Sequence, residues 1–240
     1  MISRRWKGFS EFMWWSAFLY DEKGPYHIWE KETKEEKAAC RIDIDTRNAA
    51  KYQMDKRVWE EQYRLKHRIT RSKPMPEFKH TPKWGLIEVK KGRGGINWYR
   101  YQEKILRPKL LPFVKRCLLI RPKTQVQEDN APAHKSKYQE EVFSMWGIMK
   151  LLWPGNSPDL NVIEPCWFWI KRETTKKGPI TSEKELKEAW IKCWEDMPQE
   201  KIQAWIERIP RHIKEIIRLE GGNEYSEGRN KGKEKVRVHP

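Results

Sequence analysis

What is missing narrows the field first. No apolar run in the 240 residues approaches the ~20 that a bilayer-spanning helix needs, so no membrane partner is expected. The opening stretch MISRRWKGFSEF lacks the apolar centre of a signal peptide, and nothing in it directs secretion. Cysteines are few: Cys40, Cys117, Cys166 and Cys193 lie far apart and show no paired ligand spacing, which fits a reducing compartment and offers no zinc motif. A nuclear or cytosolic protein is expected. The glycine-rich KKGRGG has neither Walker spacing nor a Rossmann fingerprint and is assigned no nucleotide role. No internal repeat is present.

Acids are the scarcer charge. Against 50 Lys and Arg stand 34 Asp and Glu, a net charge of +16 that points to a polyanionic partner, nucleic acid before an anionic surface. The excess is concentrated, because residues 51–109 hold 17 Lys and Arg and only 6 Asp and Glu. Within them RLKHRITRSK carries five cations and no acid. Phosphate contacts need fixed cations but no particular base sequence, so Arg64, Lys66, Arg68, Arg71 and Lys73, with Lys90, Lys91 and Arg93 further on, are candidate nucleic-acid contacts. A solvated basic loop is the competing reading. Tryptophan is abundant at 14, mostly at periodic positions expected in a core; a few beside basic runs could stack on bases.

The length fits one domain, 1–222, with a basic insertion at about 31–110 and a polar tail, 223–240, expected to be disordered. The apolar run FMWWSAFLY, the polar DEKG and then Pro25 to Trp29 predict a two-stranded hairpin. Its first strand is apolar on both faces and therefore expected inside a covered sheet. Glu30 to about Leu65 reads as a long polar helix or helix pair outside the core. Trp98 to Val114 resumes helical spacing, kinked or divided by Pro108 and Pro112. Cys117 to Ile120 could finish that helix or begin a strand.

Thr124–Glu128 predicts a short strand running into Asp129, Tyr138–Trp146 a helix, and Ile148–Trp153 another strand. After the PGNSPD loop, Asp159 or Asn161 can cap a helix that carries Glu164 and Pro165 in its first turn, with Trp167 and Phe168 toward the core. Ser182 and Glu185 predict a capping box for a helix ending at Pro198, and Pro210 is expected to separate two further short helices, the second ended by Gly221 and Gly222.

The most informative residues are Asp129, in QEDNAPAHKS, and Glu164, in WPGNSPDLNVIEPCW, separated by 34 residues. Taken singly they are a turn acid and a helix-start acid. Together with the upstream WKGFSEFMWWSAFLYDEKGPYHIWEKET, these motifs resemble the catalytic region of mariner-superfamily DDE transposases, in the branch whose triad ends in glutamate. The resemblance runs from about Trp6 to Tyr225 and is strongest over residues 124–178.

It implies a ribonuclease H-like α/β fold, a mixed sheet with helices on both faces, followed by a helical C-terminal region. It also implies three carboxylates holding Mg2+ or Mn2+ for DNA strand cleavage and transfer. DNA, as transposon ends and target, is the implied partner, and a homodimer is compatible with it. Asp129 corresponds to the second carboxylate and Glu164 to the third, both catalytic and both metal ligands. Asn130, His134 and Asn161 are candidates to orient those carboxylates or to touch DNA.

The chain departs from the pattern at its front. No Asp precedes Asp21, which falls in the hairpin turn, so the first carboxylate has no counterpart and cleavage is expected to be impaired. Ser16 stands where the family commonly has glycine. A non-enzymatic DNA-binding remnant is the alternative; a basic scaffold for RNA or protein has no motif behind it.

Overall fold

The computed structural model describes residues 12–68, 74–89, 95–154 and 157–220. Strands β1 (Met13–Phe18) and β2 (Lys23–Trp29) pair as the expected hairpin, closed by Leu19 N–H donating to the Glu22 carbonyl at 2.8 Å. Lys23 and Gly24, expected in the turn, belong to β2. β1 is less enclosed than its composition suggests: Met13 is 45% exposed and only Ser16 is buried.

Helix α1 (Lys34–His67) is one helix of 34 residues, roughly 50 Å long at 1.5 Å per residue. Its start is fixed by a reciprocal capping box, Thr33 Oγ1 accepting from Glu36 N–H and Glu36 Oε2 from Thr33 N–H, both at 3.1 Å. Three of its residues are buried, Cys40, Ile44 and Trp59. The loop after it folds back on the helix. Asn48 exchanges two hydrogen bonds with the Ile87 backbone at 2.8 and 3.0 Å, Phe78 packs on Trp59, and His80 meets Asp55 at 3.0 Å. Gly85 makes that approach possible: its φ is +98°, and a Cβ there would lie 2.2 Å from Asp55 Oδ2.

Helix α2 (Trp98–Tyr101) runs through a π-helical segment, Gln102–Leu110, into α3 (Leu111–Ile120). Pro108 lies inside the π segment, whose wider spacing relieves the clash between the proline ring and the carbonyl four residues back; Pro112 sits at the tolerated start of α3. Cys117–Ile120 therefore finishes a helix. Ile105, Leu106, Leu111 and Cys117 line its buried side.

The strands expected at Thr124–Glu128 and Ile148–Trp153 are reduced to one parallel bridge, Val126 with Lys150. A turn at Pro122–Lys123 and a side-chain-capped turn at Asp129 leave too few extended residues for a ladder. Helix α4 (Lys137–Met145) lies between them, begun by Ser136.

Helices α5 (Ile163–Thr175), α6 (Glu183–Asp196) and α7 (Gln199–Arg218) complete the described chain. Trp167 of α5 packs on Trp190 and Trp194 of α6. Ser182 Oγ accepts from Glu185 N–H at 3.4 Å, one half of the expected capping box. Phe168, expected toward the core, is 71% exposed, because the buried face of α5 is the Cys166 and Ile170 side. Pro210 does not divide the last helix. It removes one intrahelical bond, and the stripe Ile202, Trp205, Ile206, Ile209 and Ile216 holds α7 continuous across it. Four of the described tryptophans are buried, Trp29, Trp59, Trp98 and Trp194; most others are partly exposed, as large amphipathic rings commonly are.

The contacts divide the chain into two units, residues 15–26 with 154 onward, and residues 12–14 with 27–153. The tail 223–240 lies outside the described residues. Among the described residues no helix is long and apolar enough to cross a membrane.

Candidate active site

Asp129 follows the Val126 bridge, where the extended chain gives way to the turn Pro132–His134, closed by His134 N–H donating to the Ala131 carbonyl at 2.8 Å. Its Oδ1 accepts from Ala131 N–H at 3.1 Å and lies 2.5 Å from His134 Nδ1. An ionised carboxylate offers only lone pairs, so the proton of this contact belongs to the imidazole. The His134 hydrogen bond, first, and then the nearby His134, Ala131 and Lys150 hold the Asp129 carboxyl below the ordinary aspartate range against a desolvation that opposes them. The side chain remains 57% exposed, and both recorded hydrogen bonds fall on the one oxygen. Asn130 donates from its amide to the Trp153 carbonyl at 2.9 Å, tying the turn to the chain beyond the bridge.

Behind Asp129 lies a set of residues that the motifs did not single out. Glu128 is turned inward with its side chain 6% exposed, bonded by the Tyr101 hydroxyl and 2.7 Å from Lys150 Nζ. Lys150 also donates to the His134 carbonyl at 2.8 Å. The Tyr101 ring packs on the His134 ring, centroids 4.4 Å apart. The alternation of buried Val126 and Glu128 was the available sequence signal for Glu128; its partners 27 positions before and 22 after it left none.

Glu164 belongs to the other unit. It is exposed in the first turn of α5, where the positive end of the helix favours a carboxylate, and its N–H donates to the Asn161 carbonyl at 3.0 Å. Asn161 precedes the helix rather than sharing a helical face with Glu164; its Oδ1 caps the Ile163 N–H at 3.4 Å. Asp159 does not cap α5. It lies in the 3-10 turn Pro158–Leu160 with its carboxylate 3.4 Å from His212 Nε2. Glu164, Asp159, Phe168, Trp205 and His212 line a cleft of about 370 Å3.

Of the cationic candidates, Arg64 and Lys66 occupy the last turn of α1 and Arg68 its left-handed cap, with Lys66 and Arg68 exposed. Arg71, Lys73, Lys90, Lys91 and Arg93 lie outside the described residues. Among the described residues no group of three or more His, Cys, Asp and Glu is gathered as a metal site. The four cysteines are free thiols, and burial pushes that of Cys166 up to about 12.

Residues 46–187 match the family described as DDE superfamily endonuclease. The Tcb1 transposase of Caenorhabditis briggsae is 34% identical over 96 residues, covering 40% of this chain and 34% of that protein. The Tc3 transposase of Caenorhabditis elegans is 32% identical over 98 residues, 40% and 29% respectively. The Tc1 transposase of Caenorhabditis elegans is 30% identical over 120 residues, 50% and 41%. The matches thus span less than half the length of these relatives. Among solved structures, the catalytic domain of Mos1 mariner transposase aligns with a TM-score of 0.44 at 21% identity, over 58% of this chain and 69% of that one.

Proposed function

Because the chain belongs to the DDE superfamily endonucleases, we propose that it carries a transposase-derived catalytic domain of ribonuclease H-like fold, whose ancestral reaction is metal-dependent cleavage and transfer of DNA strands. The observation that carries this reading is Asp129: within the family match, its carboxylate is held ionised by His134 while staying open to solvent.

In this reading Asp129 and Glu164 are the second and third carboxylates. Their donor chemistry fits Mg2+ or Mn2+, which prefer hard, charged oxygen ligands, and both side chains are exposed. When bound, such ions neutralise charge on the entering and leaving oxygens of a phosphodiester and activate the attacking hydroxyl. His134 holds the Asp129 carboxylate through Oδ1, leaving its other oxygen to face a cation. Asn161, through its backbone and its side chain, fixes the first turn from which Glu164 projects. The motifs assign these two carboxylates; the first member of the triad has no assigned residue, and cleavage by the 240 residues alone is expected to be impaired.

The test is nicking of supercoiled plasmid by the full chain in Mg2+ or Mn2+, beside Asp129→Asn and Glu164→Gln. Nicking lost in either variant supports the reading. Salt-dependent DNA binding without nicking by the parent chain assigns it to the alternative, a non-enzymatic DNA-binding remnant. Calorimetry addresses the metal site separately: Mn2+ binding that neither Asp129→Ala nor Glu164→Ala weakens would remove these residues as ligands.

A further inference from the structure

We propose that Tyr101, Glu128 and Lys150 are positioning residues that hold His134, and through it the Asp129 carboxylate, in the orientation a metal ligand needs. The inference rests on reading Asp129 as a ligand. It begins with the bridge. Val126 N–H donates to the Met149 carbonyl at 2.9 Å and Leu151 N–H to the Val126 carbonyl at 2.8 Å. Along extended chain alternate residues share a face, so Val126 and Glu128 turn inward together, Lys150 stands opposite Val126, and Asp129 turns the other way. A carboxylate as enclosed as that of Glu128 persists only if paired. It has both partners it needs, the Lys150 ammonium on Oε2 and the Tyr101 hydroxyl on Oε1.

The cluster reaches His134 from two sides. Lys150 donates to its carbonyl at 2.8 Å, fixing the backbone, and Tyr101 packs against the ring, fixing its plane. What remains to the imidazole is its edge, and that edge presents Nδ1–H to Asp129 Oδ1 at 2.5 Å. Glu128 and Asp129 are thus neighbours with opposite duties, one carboxylate turned inward to anchor the support and the other held outward by it. A buried ion pair is a poor source of net stability compared with an apolar pair of the same volume. Orientation of Asp129 is what this pair supplies that an apolar pair would not.

The experiment uses the full chain and two readouts: Mn2+ affinity by calorimetry, and the long-range 1H–15N signal of the His134 ring, recorded without metal. The variant Glu128→Gln/Lys150→Met removes both charges and strands no carboxylate. Its expected result is Mn2+ affinity weakened by about tenfold or more, the usual effect of losing a partner that orients a ligand, together with loss of the hydrogen-bonded Nδ1–H signal. Lys150→Arg alone, which keeps the charge opposite Glu128, should retain much of both. Tyr101→Phe, which removes only a hydroxyl, gives the same direction should the double variant not fold. Where Asp129→Ala weakens Mn2+ binding, either readout unmoved in the folded double variant or in Tyr101→Phe overturns the proposal, whatever the melting temperature does, because a merely structural cluster would change only that. Should wild type and Asp129→Ala bind Mn2+ alike, the reading of Asp129 as a ligand has failed, and the ring signal alone decides: unaltered, it overturns the support of His134; altered, it upholds it.

Discussion

His134 Nδ1 lies 2.5 Å from Asp129 Oδ1, and this single contact is the largest influence holding the Asp129 carboxyl low. Removing it should let the carboxyl rise. In His134→Ala the Asp129 pKa is expected to move up toward the ordinary value of about 3.9, as read from its 13C carboxyl shift during an acid titration. The sign follows from the chemistry: a donor to the charged form favours that form, so its loss favours protonation. An unmoved midpoint would mean that Ala131 N–H and Lys150 suffice to hold the ionised state.

How far the sequence discloses this site depends on how far apart its parts are. Asp129, His134, Asn161 and Glu164 sit in two contiguous motifs, so the resemblance could propose them from the sequence alone; taken singly they read as turn and helix-start residues. The support beneath Asp129 was not, since Tyr101, Glu128 and Lys150 meet only through a parallel bridge and a helix packing on it. Element boundaries divide the same way. Composition announced α1 and α4, whereas Pro210 misled, because a breaker rule prices one lost hydrogen bond and ignores the apolar stripe that outweighs it. The predicted strands at 124–128 and 148–153 had the right residues in the right order, with turns too close on either side for a ladder.

Pro210 therefore offers a stability test. It is exposed and lies mid-helix in α7, where an alanine would restore an N–H able to donate to the Ile206 carbonyl. Pro210→Ala is expected to stabilise the chain by roughly 1–3 kcal/mol, the helix-interior penalty of proline less whatever relaxation the backbone has already made. Urea unfolding measures it. A variant no more stable than the parent would show that the helix cannot close that bond.

His27 on β2 should set part of the acid sensitivity. Burial first, and then Lys109, Lys104 and Arg100, lower its pKa to about 4, with Glu30 opposing. The unfolded chain takes up the same proton near 6.5. Between those values the unfolded state binds more protons than the folded one, so stability falls as pH drops from about 6.5 to about 4 and levels off below. His27→Gln should flatten that limb in urea titrations while changing little above about pH 7. An equally steep limb in the variant would assign the loss to other groups.

Lys66 and Arg68 close α1 at its negative end, so their charges have two explanations. As dipole partners they stabilise the last turn by a few tenths of a kcal/mol each and have no bearing on DNA. As phosphate contacts they displace counterions, and each contributes about 0.9 to the slope of log affinity against log salt. The double variant Lys66→Ala/Arg68→Ala separates the two. Fluorescence anisotropy on a duplex of arbitrary sequence, over about 50 to 200 mM salt, should give a slope shallower by roughly 2 if both touch phosphate, with affinity lowered alike for unrelated sequences. An unchanged slope together with weaker helical dichroism would leave them as helix-end charges with no part in DNA binding.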